Sequence, residues 1–134
     1  MHIVRTIALA AASLVASTVV AHADAVCPSN DYAVVRTSQI KPAGTMDGFM
    51  KAMAAHQKWY ADHGYTADKF TWGQALMFDA ASKTMKAVPG KIVTFHAAAS
   101  DVPPSKHDAA WDAYVAQYAA NSEILTTQVI CMMK

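Results

Sequence analysis

Three observations predict an α+β fold with the order β-α-β-β-α-β, a four-stranded antiparallel sheet and both helices on one face of it. Four stretches carry the β-branched, apolar or alternating pattern of strands. Two stretches between them have helical spacing and helical caps. The two cysteines, Cys27 and Cys131, stand just before the first of these elements and at the end of the last.

The chain begins with a different kind of segment. Arg5 precedes an apolar run from Ile7 to Val20, and Ala21-His22-Ala23 is a small-x-small site of the kind signal peptidase cuts. The run is shorter than the roughly 20 residues of a membrane span. Residues 1–23 therefore read as an export signal and residues 24–134 as one domain, periplasmic or secreted, with no membrane attachment after cleavage. Two cysteines behind such a signal favour a disulfide. No C-x-x-C arrangement supports the rival thiol or metal role.

The first strand is expected over Tyr32–Ile40, closed by Lys41-Pro42-Ala43-Gly44. Thr45 is a good N-cap and Asp47 suits the first turn, so a helix should run from Met46 to about His63 and stop at Gly64. Lys69–Asp79 alternates Phe70, Trp72, Gln74, Leu76 and Phe78 with smaller or polar residues, as a strand does. After a turn at Ala80–Lys83, Val88-Pro89-Gly90 reads as a breaker, and a third strand is expected over Lys91–Ala99. It places Ile92, Thr94 and His96 on one face. Ser105 and Asp108 suggest a capping box for a second helix from Lys106 to about Ala120, with Trp111, Tyr114, Val115 and Tyr118 as its apolar stripe. Ile124–Met132 is the last strand. The order is that of the ferredoxin-like split unit. In that topology the first and last strands are antiparallel neighbours, so Cys27 and Cys131 should meet within disulfide range.

Charge excludes some partners. The 11 Lys and Arg and 10 Asp and Glu give a net +1, and loss of Arg5 with the signal brings the balance to zero. No basic run or patch is present, so no nucleic-acid partner is expected. There is no phosphate loop, nucleophile elbow or H-E-x-x-H motif, and no cofactor or metal is assigned.

The candidates for chemistry lie on the first helix and the inner strands. His56, Tyr60 and His63 recur at i, i+4 and i+7 and share a face with Phe49 and Met53. A histidine there can act as acid, base or ligand, or simply fill an amphipathic core face. His96 lies mid-strand and converges with His56 if its face meets the helix. His107, early in the second helix, is expected to be solvated. Arg36, the only arginine after the signal, sits inside a strand and needs either a carboxylate or an anionic ligand. Met46, Met50 and Met53 leading to His56 offer thioether and imidazole groups that suit copper(I), though Met is also a common core filler. Phe49, Trp59, Tyr60, Trp72, Trp111 and Tyr114 supply the walls of an apolar pocket.

Val34-Val35-Arg36-Thr37-Ser38-Gln39-Ile40-Lys41-Pro42-Ala43-Gly44, the helix end at His63-Gly64, Ile92-Val93-Thr94-Phe95-His96 and Trp111-Asp112-Ala113-Tyr114-Val115 resemble the dimeric α/β-barrel superfamily. That group includes the antibiotic-biosynthesis monooxygenase-like and stress-responsive barrel proteins. The resemblance implies a homodimer whose sheets pack face to face, with a pocket between helices and sheet in each protomer.

The function expected is binding of a small, partly apolar organic molecule, with Phe49, Met53, Trp59, His63, Trp72 and Trp111 as ligand contacts. One alternative is a cofactor-independent monooxygenase or isomerase with His56 or His96 as general base and Arg36 or Tyr60 steadying an oxyanion. The other is a copper protein using the Met/His helix.

Overall fold

Tyr32–Ile40, β-branched and apolar at its start, forms β1, an inner strand paired antiparallel on both sides. The computed structural model that shows this describes Cys27 and residues 31–132. The expected export signal and its cut after Ala23 lie outside the described residues. Helix α1 follows at Met46–Asp62, then strands β2 (Lys69–Asp79) and β3 (Thr84–Ala97), helix α2 (Ala109–Asn121) and strand β4 (Ser122–Cys131). The sheet order is β2-β3-β1-β4 and every pairing is antiparallel. This is the predicted ferredoxin-like α+β fold.

Helix α1 starts where its cap dictates, with the Thr45 hydroxyl accepting from the Gly48 amide at 2.9 Å. It ends at His63, after which Gly64 takes a positive φ of 84°. Two boundaries differ from expectation. Strand β3 does not begin at Lys91. It starts at Thr84 and runs through Pro89 and Gly90, which lie where the β2–β3 ladder shifts register: Leu76 pairs with Ala87 but Gln74 with Ile92. An irregularity of this kind tolerates a proline that has no N–H to give and a glycine at φ 66°. Helix α2 does not begin at Lys106. A single 3₁₀ turn occupies Pro104–Lys106, and Asp108, not Ser105, caps the helix by accepting from the Trp111 amide at 2.8 Å. Strand β4 starts two residues earlier than Ile124 and stops at Cys131.

The core lies between the helices and one face of the sheet. Phe49 and Met53 of α1 pack against Ile92 of β3. Phe49 and Ile92 are both fully buried, which stabilises by about 1.5–3 kcal/mol each. Trp59, Tyr60, Val102 and Tyr114 form a second cluster. At the far end of β1, Cys27 packs with Tyr32, Val34 and Ala99, and it is disulfide-bonded to Cys131 with the Cα atoms 5.3 Å apart. The partner of Cys131 in the ladder is Tyr32, so the bond joins the start of β1 to the end of β4 as the topology requires. Among the described residues no helix is long and apolar enough to cross a membrane.

Candidate functional site

The two periods of the sequence meet in one cavity. On β1 and β3 every second residue faces the helices, which brings up Val34, Arg36 and Ser38 beside Thr94 and His96. On α1 the i, i+3, i+4 spacing brings down Phe49, Met53, His56 and Tyr60, and α2 adds Trp111, Tyr114, Val115 and Tyr118. Phe70 of β2 and the loop Ala99–Val102 close the remaining side. The cavity between them is about 380 Å³.

Arg36 stands opposite Thr94 in the β1–β3 ladder, with His96 opposite Val34, so Arg36 and His96 are diagonal neighbours on the same face. Among the described residues no carboxylate forms an ion pair with Arg36. Burial holds its pKa below the ordinary arginine value, and the neighbouring Tyr60, Tyr118 and Tyr114 phenols work in the opposite direction. The structural ion pair considered from sequence is therefore not formed among the described residues. All three phenols have their pKa values pushed up, chiefly by burial, so they face the cavity as neutral hydroxyls. The Tyr114 hydroxyl is buried and has no hydrogen-bond partner among the described residues.

His96 is held by a carboxylate that the sequence reading did not single out. Its Nε2 donates to Asp68 Oδ1 at 2.5 Å, which puts the proton of the neutral ring on Nε2 and leaves Nδ1 an acceptor. The Asp68 side chain is fully buried and also accepts from the Ser100 amide at 2.8 Å and the Ser100 hydroxyl at 2.7 Å. The ring stacks on Phe70 with centroids 3.9 Å apart and meets Tyr60 edge-on at 5.1 Å. Burial lowers its pKa, and the hydrogen bond and charge of Asp68 work in the opposite direction. His56 lies in an aromatic cage, stacked on Tyr114 at 4.6 Å and edge-on to Phe70 and Tyr60. Its Nδ1 is 3.4 Å from the Tyr118 hydroxyl. Burial, then the neighbouring His96 and Arg36, depress its pKa to about 3, so at neutral pH it is an uncharged ring.

The structure thus brings His56, Tyr60, His96 and Arg36 into one cavity with Phe49, Met53 and Trp111. It places the other three expected contacts elsewhere. Trp59 and His63 do not line the cavity. They form a clasp between the helices: Trp59 Nε1 donates to Asp108 at 2.8 Å, and His63 stacks on Trp59 at 3.9 Å and reaches Asp108 at 3.2 Å. Their spacing on α1 is right, but at the end of the helix that face meets the start of α2 instead of open space. Trp72 is 47% exposed and does not line the cavity, although it pairs with Thr94 on the helix-facing side of the sheet. His107 is not solvated; its ring stacks on Trp111 at 3.9 Å and its Nε2 is buried. Met50 and Met53 pack into the Phe49–Ile92 core while Met46 is exposed, so the thioethers do not gather around His56. Among the described residues no group of three or more His, Cys, Asp and Glu gathers as a metal site.

Asp68 was missed because register hides it. From the turn pairing of Asp79 with Thr84, an uninterrupted ladder would not bring Asp68 to the loop after β3. The shift between Gln74 and Leu76 instead pairs Lys69 with Ala97, and Ala98, at a positive φ of 51°, turns the chain so that Ser100 reaches Asp68. The only signal available was an aspartate immediately before a strand and a serine shortly after its partner. Comparison with known protein families, with curated proteins and with solved structures found no match to this chain.

Proposed function

We propose that this is an exported small-molecule-binding protein of dimeric α/β-barrel type, which takes a small, partly apolar organic ligand between sheet and helices. One observation carries the reading: a cavity of about 380 Å³ walled by aromatic side chains, with a few polar groups converging on it. That is the usual make-up of a small-ligand site. The disulfide and the signal-like N-terminal segment support a periplasmic or secreted location, where the bond persists. The homodimer rests on the resemblance and on the open face of the sheet, where Val35, Val93, Phe95 and Ile130 alternate with the cavity-facing residues. The test is a thermal-shift screen of the mature, oxidised protein against aromatic and quinone-like compounds, repeated on Val115→Trp, which fills the cavity. Ligands should raise Tm in the native protein and lose that effect in the variant. A flat screen, or shifts that survive the filled cavity, would defeat the reading.

The Asp68–His96 pair favours a second reading, a cofactor-independent enzyme. A carboxylate that fixes the tautomer and orientation of a histidine leaves its other nitrogen as a positioned proton acceptor. On this reading His96 takes a proton from the bound molecule, Asp68 positions it, and Arg36 or Tyr60 steadies the oxygen on which charge develops. His56, uncharged and caged, is part of the wall. Loss of turnover in His96→Asn with ligand binding retained would support it. Unchanged turnover in both His96→Ala and His56→Ala would rule out a histidine base.

A further inference from the structure

We propose that the ligand is a monoanion, a flat apolar ring system carrying one carboxylate whose oxygens are taken by the Arg36 guanidinium and the Tyr114 hydroxyl. This rests on the reading of the cavity as a ligand site and names the chemistry that site selects.

Among the described residues, two donors in this cavity lack acceptors. Arg36 has no carboxylate within ion-pair distance among the described residues. The obvious internal candidate, Asp68, is committed elsewhere, accepting from His96 and from both the amide and hydroxyl of Ser100. Tyr114 is 3% exposed and its hydroxyl has no partner among the described residues. Both residues line the cavity, and the Arg36 charge acts directly on the Tyr114 phenol. Buried donors without acceptors are costly, and folded proteins satisfy nearly all of them. A carboxylate satisfies both at once, because its two oxygens match the guanidinium fork and still accept from a hydroxyl.

The charge count limits the ligand to one negative charge. His56 is an uncharged ring, and burial lowers the pKa of His96 as well. Lys41 is turned to the Ala119 carbonyl at 2.5 Å, and Asp101 and Glu123 at the margins are exposed. A dianion would set its second charge against phenols and rings. The rest of the wall is mainly aromatic or aliphatic, with Ser38, Thr94 and Ser100 among its few hydroxyls, which suits a ring system in place of a sugar or peptide.

The test is calorimetric titration of the mature, disulfide-bonded protein with a naphthoate and with the neutral naphthamide of the same shape. The naphthoate should bind roughly tenfold or more tightly than the amide. Arg36→Met should abolish that preference while leaving amide binding in place. Tyr114→Phe should weaken naphthoate by roughly two- to tenfold. Arg36→Met should also melt no lower than the native protein, because it removes an unpaired, partly buried charge. Equal binding of naphthoate and naphthamide, or a preference that survives Arg36→Met, would overturn the anion assignment and leave the ligand site standing. A melting point lowered in Arg36→Met would overturn it too, by revealing a structural partner for the guanidinium. If neither probe nor any compound of the wider screen binds, the ligand-site reading and this assignment fall together.

Discussion

Three donors converge on the Asp68 carboxylate: His96 Nε2, the Ser100 amide and the Ser100 hydroxyl. An asparagine there keeps Oδ1 for His96 and the Ser100 amide, but it removes the charge that strengthens these bonds and makes the Ser100 hydroxyl turn to accept from the new NH₂ group. Asp68→Asn should therefore lower unfolding stability by about 2–3 kcal/mol, read from urea transitions. A loss below about 0.5 kcal/mol, the ordinary range for a surface substitution, would mean the carboxylate does not hold the loop and the ring. The histidines make a second residue-scale prediction. His56 has a pKa of about 3 in the folded chain against 6.5 for the free side chain. A depressed folded value means that the unfolded chain binds the proton more readily. The stabilisation is complete above pH 6.5 and is lost as pH falls from 6.5 toward 3. His96, also lowered by burial, adds in the same direction. Each contributes a slope of up to about 1.4 kcal/mol per pH unit across its window. Urea midpoints measured from pH 7.5 down to pH 4 should fall, and His56→Phe should flatten the curve. Parallel curves for the two proteins would show that His56 is not held uncharged by the fold.

At the scale of elements, a close junction forms where the turn after β1 meets the end of α2. The Lys41 amide donates to the Asn121 carbonyl and the Thr45 amide to the Asn121 side chain, both at 3.0 Å. Asn121 backbone lies against Gly44 and its side chain lies against Gly48, leaving no room for a Cβ at either glycine. Gly48 is inside α1, where alanine would ordinarily gain up to about 1 kcal/mol. Here the overlap with Asn121 opposes the gain and costs about 1–3 kcal/mol. Gly48→Ala should be destabilising in the native protein but neutral or stabilising in an Asn121→Ala background, a sign change that a thermal-melt double-mutant cycle reads directly. Gly44→Ala meets backbone and should not be rescued in this way. Such junctions are not legible in the sequence, because Gly44 reads equally well as a turn residue. What was legible followed from local chemistry. Thr45 set the start of α1, and strict alternation grouped His96 with Ile92 and Thr94 on one face, while which side of the sheet met the helices stayed open until the layers were known. The Pro89-Gly90 pair misled because its effect depends on the opposite strand: against a ladder irregularity the two residues bend β3 instead of ending it. The same irregularity moved Asp68 under Ser100, so the chief omission at the site and the misplaced strand boundary have one physical cause.

For the molecule as a whole, the cysteines tested the topology before any pairing was known, since only neighbouring first and last strands bring Cys27 to Cys131. Closing a loop of about 100 residues stabilises by roughly 4–5 kcal/mol in the chain-entropy model. The Cys27→Ser, Cys131→Ser protein should lose stability of that order in urea, and a loss under about 1 kcal/mol would show that the bond constrains little. The sheet carries the remaining question. Both helices pack on one face, and alternation leaves Val35, Thr37, Val93, Phe95, Thr126, Gln128 and Ile130 on the other, with the charged Lys91 and Lys69 at the two ends of that face. Phe95 is 39% exposed and Ile130 37%, although both are large and apolar. An antiparallel sheet can face water on one side, but then it alternates apolar-in with polar-out, which this face does only in part. A specific interface takes about 800 Å² from each partner, so the contact would have to use most of the open face of the four-stranded sheet. The proposed homodimer should therefore sediment as a dimer at micromolar concentration. Val93→Lys with Ile130→Lys places two buried like charges per protomer in the contact and should give a monomer with native circular dichroism. Val93 and Ile130 do not line the cavity, so the monomer should keep the ligand affinity of the native protein. A native protein that is monomeric throughout that range, or a double variant that still dimerises, would place the interface elsewhere or remove it.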